Sequence, residues 1–449
     1  MRIAILWHFH QPIYRKPGSF EYVLPWVNFH LKNYHQMIRI AEETGYPCTF
    51  NLVPCLLEQI SDYAEGRAVD PVQAALEKDP DEMTEVDLSL LRPLAPGAGD
   101  KKKLQETALR SFLSPVDPLP ATKDGLLEKQ ESVLHGLLSE FARMGRSRLA
   151  ELTATPYYHP LTPLIFDLRA AFGHILPRET FRYPEDGRHH LETAGSYFEE
   201  VFGLRPAGLW PSEGGISKAV TAAAAGAGFP FAVTDENILW KSLGVVPKAE
   251  FLRTPYRSEG LPVFFRDRFL SDLIGFEYNR WDPEEAAADL VRRIAERRSA
   301  GPDDVLVLAL DGENPWASYA ENGVPFLREF FGRMLRAEGI LPSFFGDILR
   351  DRRDGLKDID LAPGTWLGSF SKWVGDAAKN EGWNILSRAR QDCGPIEEIL
   401  IAEGSDWFWW RGEEAHPEFE VLFLEYIAAA YRAKGLPVPE ECRPNGSRK

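Results

Sequence analysis

Two acidic residues stand out because each follows a short apolar run and lies among aromatic residues and glycine. Glu213 comes after Ala207–Trp210 in the sequence GLWPSEGGIS, and Asp311 comes after Val305–Leu310 in VLALDGENPW. Cleavage of a glycosidic bond commonly uses two carboxyl groups, one to protonate the leaving oxygen and one to act as nucleophile or base. The pair therefore predicts a reaction at a glycosidic bond.

The surroundings of the two acids favour this interpretation over a surface charge or a helix cap, which is the usual role of an isolated carboxylate. Trp-Pro before Glu213 and Gly-Gly after it predict a tight loop that holds the carboxylate at a strand end. Asp311 and Glu313 are two residues apart and would face the same side of an extended chain. Their spacing alone leaves open which of them is the second catalytic group.

Histidines and tryptophans near other run ends are candidate sugar contacts. His8 and His10 share one face of the first run and could hydrogen-bond sugar hydroxyls or bind a metal ion. Gln11 and Pro12 follow, with no aspartate directly after the histidines, so we favour sugar binding and predict no metal. The other predicted substrate contacts near run ends are His159, Trp210, Asp235, Arg266 and Trp316.

A tryptophan-rich segment near the end of the chain, Ala402–Gly412, has two possible roles. It contains Trp407, Trp409 and Trp410. These side chains could fasten a helical domain to the rest of the protein, or they could form a sugar platform at the edge of a cleft. Both roles remain open at this point.

Seven apolar runs predict the scaffold that positions these residues. Their apolarity is continuous rather than alternating, which is typical of parallel strands covered by helices on both faces. The runs are Arg2–Trp7, Cys48–Val53, Leu149–Thr153, Ala207–Trp210, Phe229–Thr234, Pro262–Arg266 and Val305–Leu310. An open doubly wound sheet would fit the alternation, but reactive side chains after nearly every run favour a (β/α)7 barrel, whose active sites collect at strand ends.

The remaining segments are predicted to surround this barrel. We assign residues 1–337 to the catalytic barrel, with a helical insertion at about 61–148. Residues 338–434 are helical and aromatic in pattern and predict a C-terminal helical domain, and residues 435–449 predict a frayed tail.

Composition narrows the choice of partners. The formal net charge of −16 disfavours nucleic acid and anionic membranes, so a neutral substrate fits better. The four cysteines show no CxxC spacing, no secretory signal is evident, and no apolar run approaches the ~20 residues of a membrane span. These features predict a cytoplasmic protein and leave its oligomeric state open.

Several motifs, in order along nearly the whole chain, resemble those of glycoside hydrolase family 57, the α-amylase, glucanotransferase and branching-enzyme group. HQP at His10–Pro12, WPSEGGIS and LDGENPW resemble its first, nucleophile and acid/base motifs. TPYYHPLTPL, FFRDRFLSDLIGF, GSFSKWVGDAAKNEGWNIL and AEGSDWFWW also resemble its amylase-like branch. The resemblance adds Gln11, Trp373 and Trp407 to the candidate substrate contacts.

The resemblance implies a retaining reaction on α-1,4-glucans in a (β/α)7 barrel with a helical C-terminal domain and no cofactor. It places the nucleophile on Glu213 and the acid/base on Asp311, which decides between Asp311 and Glu313. Pro315, Ala317 and the pair Ser371-Lys372 depart from the family pattern and bear on chain length and on the balance of hydrolysis and transfer.

Three alternatives follow from the same residues. One is a 4-α-glucanotransferase or branching enzyme that uses the same site. Another is a metal-dependent carbohydrate hydrolase or deacetylase that uses His8 and His10. The last is a glucan-binding protein without catalytic activity.

Overall fold

The computed structural model describes residues 1–246, 248–299, 304–352 and 355–443. It has a parallel α/β fold, as predicted. The strands are β1 (Arg2–Phe9), β2 (Cys48–Leu52), β3 (Ala150–Ala154), β4 (Ala232–Asp235), β5 (Tyr256–Ser258), β6 (Leu261–Arg266), β7 (Val305–Asp311), β8 (Leu341–Pro342) and β9 (Lys357–Asp358).

Backbone hydrogen bonds connect the seven predicted runs in a ring. β1 pairs in parallel with β2 and β7, β2 pairs with β3, and β4 pairs with β6. Leu209 forms parallel bridges to both Ala154 and Ala232 and so joins β3 to β4. The Asp267 N–H donates to the Val307 carbonyl at 2.8 Å, which joins β6 to β7. This is the circular order of a (β/α)7 arrangement.

The fourth run differs from the prediction because only Leu209 within it makes strand-like bridges. Proline stands on either side, at Pro206 and Pro211, and supplies no backbone N–H for a longer ladder. Gly208 passes so close to Phe231 that a Cβ atom there would lie 2.3 Å from its ring. The segment therefore bridges β3 and β4 through Leu209 and does not form a strand of its own.

Helices cover the strands. They are α1 (Trp26–Thr44), α2 (Pro54–Ala64), α3 (Pro71–Glu77), α4 (Glu85–Leu91), α5 (Lys101–Ser111), α6 (Lys123–Arg146), α7 (Thr162–Phe166), α8 (Pro184–Phe202), α9 (Lys218–Gly226), α10 (Glu236–Leu243), α11 (Ala249–Leu252), α12 (Arg268–Asp272), α13 (Pro283–Glu296), α14 (Val324–Arg336), α15 (Phe345–Arg352), α16 (Ala377–Cys393), α17 (Glu397–Ala402), α18 (Ser405–Trp410) and α19 (Pro417–Ala433). Among the described residues, no helix combines the length and apolarity that crossing a membrane requires.

Side chains alternate between two cores along the strands. Ala4, Leu6 and Val307 point inward, whereas Ile3 and Ile5 pack in the larger core that includes the helices. This double burial explains why the strand sequences are apolar without interruption.

Helix α15 fills the end of the barrel where the strands begin. Its Phe345 and Ile348 belong to the same buried cluster as the inward-facing strand residues. The backbone N–H groups of Phe345 and Gly346 donate to the Glu151 carboxylate at the start of β3. A carboxylate at a helix N-terminus offsets the helix dipole and satisfies unpaired donors.

The proposed insertion has a small core of its own. Helices α3, α4 and α5 contribute most of its apolar side chains, and α6 returns the chain to β3. Helix N-caps at Asp70, Thr84 and Asp100 define the starts of these three helices. The structure therefore has helices where the sequence pattern predicts them. The division of the chain into a barrel and an insertion at about 61–148 remains our proposal.

The segment after residue 337 contributes to both ends of the barrel. β8 pairs with β1, β9 pairs with β5, and α15 lies in the barrel core, so we propose that the helical domain proper begins after β9. In the predicted tail, Cys442 is the last residue of a short 3-10 turn at Glu440–Cys442, and its side chain is buried. Residues 444–449 lie outside the described residues.

Candidate active site

Glu213 and Asp311 both line one cleft of about 550 Å³. Asp311 is the last residue of β7 and lies in register with His8 of β1, which in turn is in register with Asn51 of β2. Glu213 lies in a 3-10 turn directly after the fourth run. The cleft is therefore at the C-terminal ends of the strands, where barrel active sites form.

The backbone of Glu213 is held in an uncommon conformation. Its φ of 59° and ψ of 23° are left-handed, which costs a residue with a side chain about 1–2 kcal/mol. The Trp366 N–H donates to the Glu213 carbonyl, and the Thr234 hydroxyl donates to the Gly214 carbonyl. Strain that is maintained by neighbouring bonds at a cleft is typical of functional sites.

The two glycines after Glu213 are needed for different reasons. Gly214 has a φ of 60°, which favours glycine. A Cβ atom on Gly215 would lie 2.5 Å from the Leu161 side chain. The WPSEGG sequence thus encodes a turn that presents the Glu213 carboxylate to the cleft.

Three histidines stack beside this carboxylate. The ring centroids are 5.9 Å apart for His8 and His10, 5.3 Å for His8 and His159, and 3.7 Å for His10 and His159. His8 Nδ1 lies 2.6 Å from Asn51 Oδ1, and His10 Nε2 lies 2.9 Å from Asp406 Oδ2. Burial lowers the pKa of His8 to about 3 and the pKa of His159 well below its usual range, so both rings are neutral near pH 7.

The potential ligand atoms of His10, His159 and Asp406 lie within 4.8 Å of one another, close enough to surround a metal ion. The His10 and His159 rings are inclined by 15° to each other at a centroid distance of 3.7 Å. Imidazole lone pairs lie in the ring plane, so nearly parallel stacked rings cannot direct both lone pairs to one ion unless a ring turns. This geometry favours hydrogen bonding over metal binding.

Burial shapes the protonation of both proposed catalytic acids. It raises the pKa of Glu213 to about 8, and the negative charges of Asp406 and Asp311 add to this effect. Burial also raises the pKa of Asp311, against the opposing hydrogen bond from Asn314. With a pKa of about 8, Glu213 is therefore mostly protonated at pH 7.

Glu313, the competitor of Asp311 in the sequence, has a different environment. Its Oε1 accepts hydrogen bonds from the His10 N–H and the Gln11 amide, both at 3.1 Å. Burial raises the pKa of Glu313 well above its usual range. These bonds tie Glu313 to the HQP segment, which favours a role in holding that segment and leaves Asp311 as the acid/base candidate.

Replacing Glu213 with glutamine should stabilise the folded protein, and the gain should grow with pH. The folded-state pKa of about 8 exceeds the ordinary value of 4.5, so ionisation opposes folding above pH 4.5 and reaches its full effect above pH 8. We expect the free energy of unfolding to rise by about 3 kcal/mol at pH 7 and by under about 1 kcal/mol at pH 5.

Urea denaturation of Glu213→Gln and the parent protein at pH 5, 7 and 8 measures this difference. Glu192→Gln, on the exposed surface of α8, is the control for loss of one carboxylate. A Glu213→Gln gain that is constant over this pH range would contradict the assignment.

The predicted sugar contacts fall into two groups. His8, His10, Gln11 and His159 line the cleft together with the two carboxyl groups. The other six are buried away from it: Trp210, Asp235, Arg266, Trp316, Trp373 and Trp407. Proximity to a strand end in the sequence does not distinguish a side chain in the cleft from one beneath it.

Each residue of the second group has an internal role in the structure. Trp316 packs on Trp7 and donates its indole N–H to the Gly312 carbonyl. The Trp407 indole N–H donates to the Ile401 carbonyl.

Trp210 lies in the barrel core, and Trp373 packs on Trp409. Arg266 Nε lies 2.7 Å from Asp235 Oδ2 in a buried ion pair. Burial raises the pKa of Asp311, and the charge of Arg266 opposes part of this rise, so Arg266 acts on the site electrostatically.

Other aromatic side chains line the cleft besides the individually predicted contacts. They are Trp26, Phe29, Trp366, Trp409, Trp410 and Phe419. Trp409 and Trp410 belong to the tryptophan-rich segment, in which Trp407 is buried and the other two side chains line the cleft. A sugar platform in this segment remains a prediction. Trp26 and Phe419 lie in the first turns of long helices, where no sequence signal separates them from core residues.

A parallel barrel-like α/β fold with two buried carboxyl groups in an aromatic cleft is the arrangement that glycoside hydrolases and transglycosylases use. The family model described as glycosyl hydrolase family 57 matches residues 4–343, and the chain belongs to this family. A search of curated proteins found no match.

Three solved structures, one of them of a GH57-type enzyme, share the fold. A branching enzyme from Pyrococcus horikoshii has 16% identity and a TM-score of 0.68, covering 98% of this chain and 92% of that chain. The α-amylase AmyC from Thermotoga maritima has 15% identity and a TM-score of 0.63, covering 98% and 95%. A 4-α-glucanotransferase from Thermococcus litoralis has 19% identity and a TM-score of 0.57, covering 96% and 60%.

Proposed function

We propose that the protein is a retaining glycoside hydrolase that acts on α-1,4-glucans, with Glu213 as nucleophile and Asp311 as acid/base. The observation that carries this proposal is the presence of both carboxyl groups in one cleft, at the strand ends of a family 57 chain. The cleft also offers the neutral His8 and His159 to sugar hydroxyls and aromatic rings to sugar faces, which suits a neutral polysaccharide.

In the first step, Glu213 attacks the anomeric carbon while Asp311 donates a proton to the departing glycosidic oxygen. The reactive form has a charged Glu213 and a protonated Asp311. Forming the glycosyl ester removes the charge of Glu213 and so lowers the proton affinity of Asp311. Asp311 can then act as a base toward water, which displaces Glu213 in the second step and restores the original configuration.

Transfer to a second glucan is the other candidate function, as 4-α-glucanotransferase or branching activity at the same site. The outer cleft favours it because Trp26, Trp410 and Phe419 form a continuous aromatic wall beyond the carboxyl groups. Such a wall suits a second sugar chain, whose hydroxyl would replace water in the second step.

Product analysis after incubation with maltoheptaose and with amylose tests the proposal, with Glu213→Gln as the inactive control. Hydrolysis predicts shorter oligosaccharides and new reducing ends. Products longer than maltoheptaose would indicate transfer, and α-1,6 linkages would indicate branching. Intact substrate with measurable binding would indicate a non-catalytic protein, and activity that EDTA abolishes and zinc restores would support the metal-dependent alternative.

A further inference from the structure

Ser405 lies in the helical domain, yet the backbone places it beside the proposed nucleophile. The Ser405 N–H donates to the His159 carbonyl at 2.9 Å, and Gly404 forms an antiparallel bridge with Pro160. A Cβ atom on Gly404 would lie 3.0 Å from the Tyr158 carbonyl oxygen, so glycine permits this close approach. The position of Ser405 is therefore fixed by main-chain contacts to the loop after β3.

The side chains form a continuous chain of hydrogen bonds that ends on Glu213. Ser405 Oγ lies 2.9 Å from Glu213 Oε1, and His159 Nδ1 lies 2.9 Å from Ser405 Oγ. In the reactive form, in which Glu213 is ionised, the carboxylate only accepts hydrogen bonds, so the Ser405 hydroxyl donates to Oε1. With that hydrogen used, the neutral His159 ring donates its Nδ1–H to Ser405 in this form, which assigns the tautomer of His159 there.

We propose that Ser405, itself oriented by His159, is a positioning residue that holds Oε1 of Glu213 and leaves Oε2 as the attacking oxygen. This inference rests on the proposed role of Glu213 as nucleophile. A carboxylate with one oxygen fixed cannot rotate away from the anomeric carbon, and restricting this rotation favours the reactive geometry.

The hydroxyl of Ser405 also opposes the other influences on the nucleophile. Burial and the charges of Asp406 and Asp311 raise the pKa of Glu213 and so disfavour its charged form, whereas the hydrogen bond from Ser405 favours that form. His159 approaches Glu213 Oε1 and Asp406 Oδ2 at 4.0 and 3.7 Å but is neutral. Removing the Ser405 hydroxyl therefore removes a main stabiliser of the negative charge.

Ser405→Ala should lower kcat roughly 10–100-fold on maltoheptaose, with a much smaller change in KM, because a hydrogen bond to a charged group is lost. The acid limb of the kcat/KM profile should move to higher pH, because Glu213 becomes harder to ionise. Ser405→Thr keeps the hydroxyl and should restore most of the activity. An unchanged kcat and pH profile in Ser405→Ala would overturn the proposal.

Introducing Ser405→Ala into the Glu213→Ala variant distinguishes a positioning role of Ser405 from a general structural role. In Glu213→Ala supplied with azide there is no carboxylate to hold, so adding Ser405→Ala should change the azide-dependent rate less than about twofold. A loss as large as in the parent background would overturn the proposal. Ser139→Ala, on the exposed surface of α6, is the matched serine control.

Ser405→Cys is the fallback variant if circular dichroism shows that Ser405→Ala does not fold. Cysteine has nearly the size of serine but is a weak hydrogen-bond donor, so Ser405→Cys should show the same lowered kcat and the same shifted acid limb. Parent values of kcat and of the acid limb in this variant would overturn the proposal. Failure of the proposed function is recognised separately, since Glu213→Ala would then keep the parent activity whatever Ser405 does.

Discussion

Glu213→Ala should lower turnover of α-glucans by about four orders of magnitude or more, the scale expected when a catalytic nucleophile is removed. The cavity left by the side chain admits a small anion, and azide can attack the anomeric carbon directly. Asp311 remains to protonate the leaving group. One displacement inverts the centre, so an α-linked substrate should yield a β-glycosyl azide.

Proton NMR of the azide product measures its configuration. Glu192→Ala on the exposed surface of α8 is the control and should form no glycosyl azide. A Glu213→Ala enzyme that cleaves glucans at the parent rate without azide would rule out Glu213 as the nucleophile.

Asp311→Ala should produce a different defect. Turnover of glucans, whose leaving groups need a proton, should fall by about 10²–10⁴-fold, the usual contribution of general acid catalysis. Activated aryl α-glucosides need little protonation and should still form the glycosyl-enzyme with Glu213. Azide should then accelerate the second step and give an α-glycosyl azide, because two displacements retain the configuration.

Comparing the two variants decides the roles. Pre-steady-state release of the aryl alcohol should show a burst in Asp311→Ala when breakdown of the glycosyl-enzyme limits the rate. A retained azide product from Glu213→Ala, with an inverted product from Asp311→Ala, would show that the two assignments are exchanged.

The scaffold could be predicted from the sequence because strands that are buried on both faces have continuous apolar sequences. β1 and β7 are apolar at nearly every position; β7 ends at Asp311, and His8 and His10 stand on either side of the last residue of β1. The fourth run has the same apolar character but only one bridging residue, because proline on each side limits its hydrogen bonding. An apolar sequence indicates that a segment is buried. Whether the segment forms a strand depends on the backbone N–H groups that it can offer for hydrogen bonds.

Side-chain direction was harder to predict than position along the chain. His10 and Trp316 both lie near strand ends, but His10 lines the cleft and Trp316 packs beneath it. Ser405 gave no signal because its importance depends on a contact with Glu213 across 192 positions of sequence. One sequence contains no information on such distant pairing except through motifs, and the AEGSDWFWW motif drew attention to its tryptophans instead.

The path of the chain after β7 has a consequence for synthesis on the ribosome. All seven barrel segments have been made by residue 311, but α15, which fills the barrel end, comes at Phe345–Arg352. Until that helix emerges, the nascent barrel exposes apolar residues such as Phe231 and Phe264 at that end. We therefore expect the nascent chain to need chaperone protection in the interval between β7 and α15. The contact of Ser405 with Glu213 completes the site only after that interval.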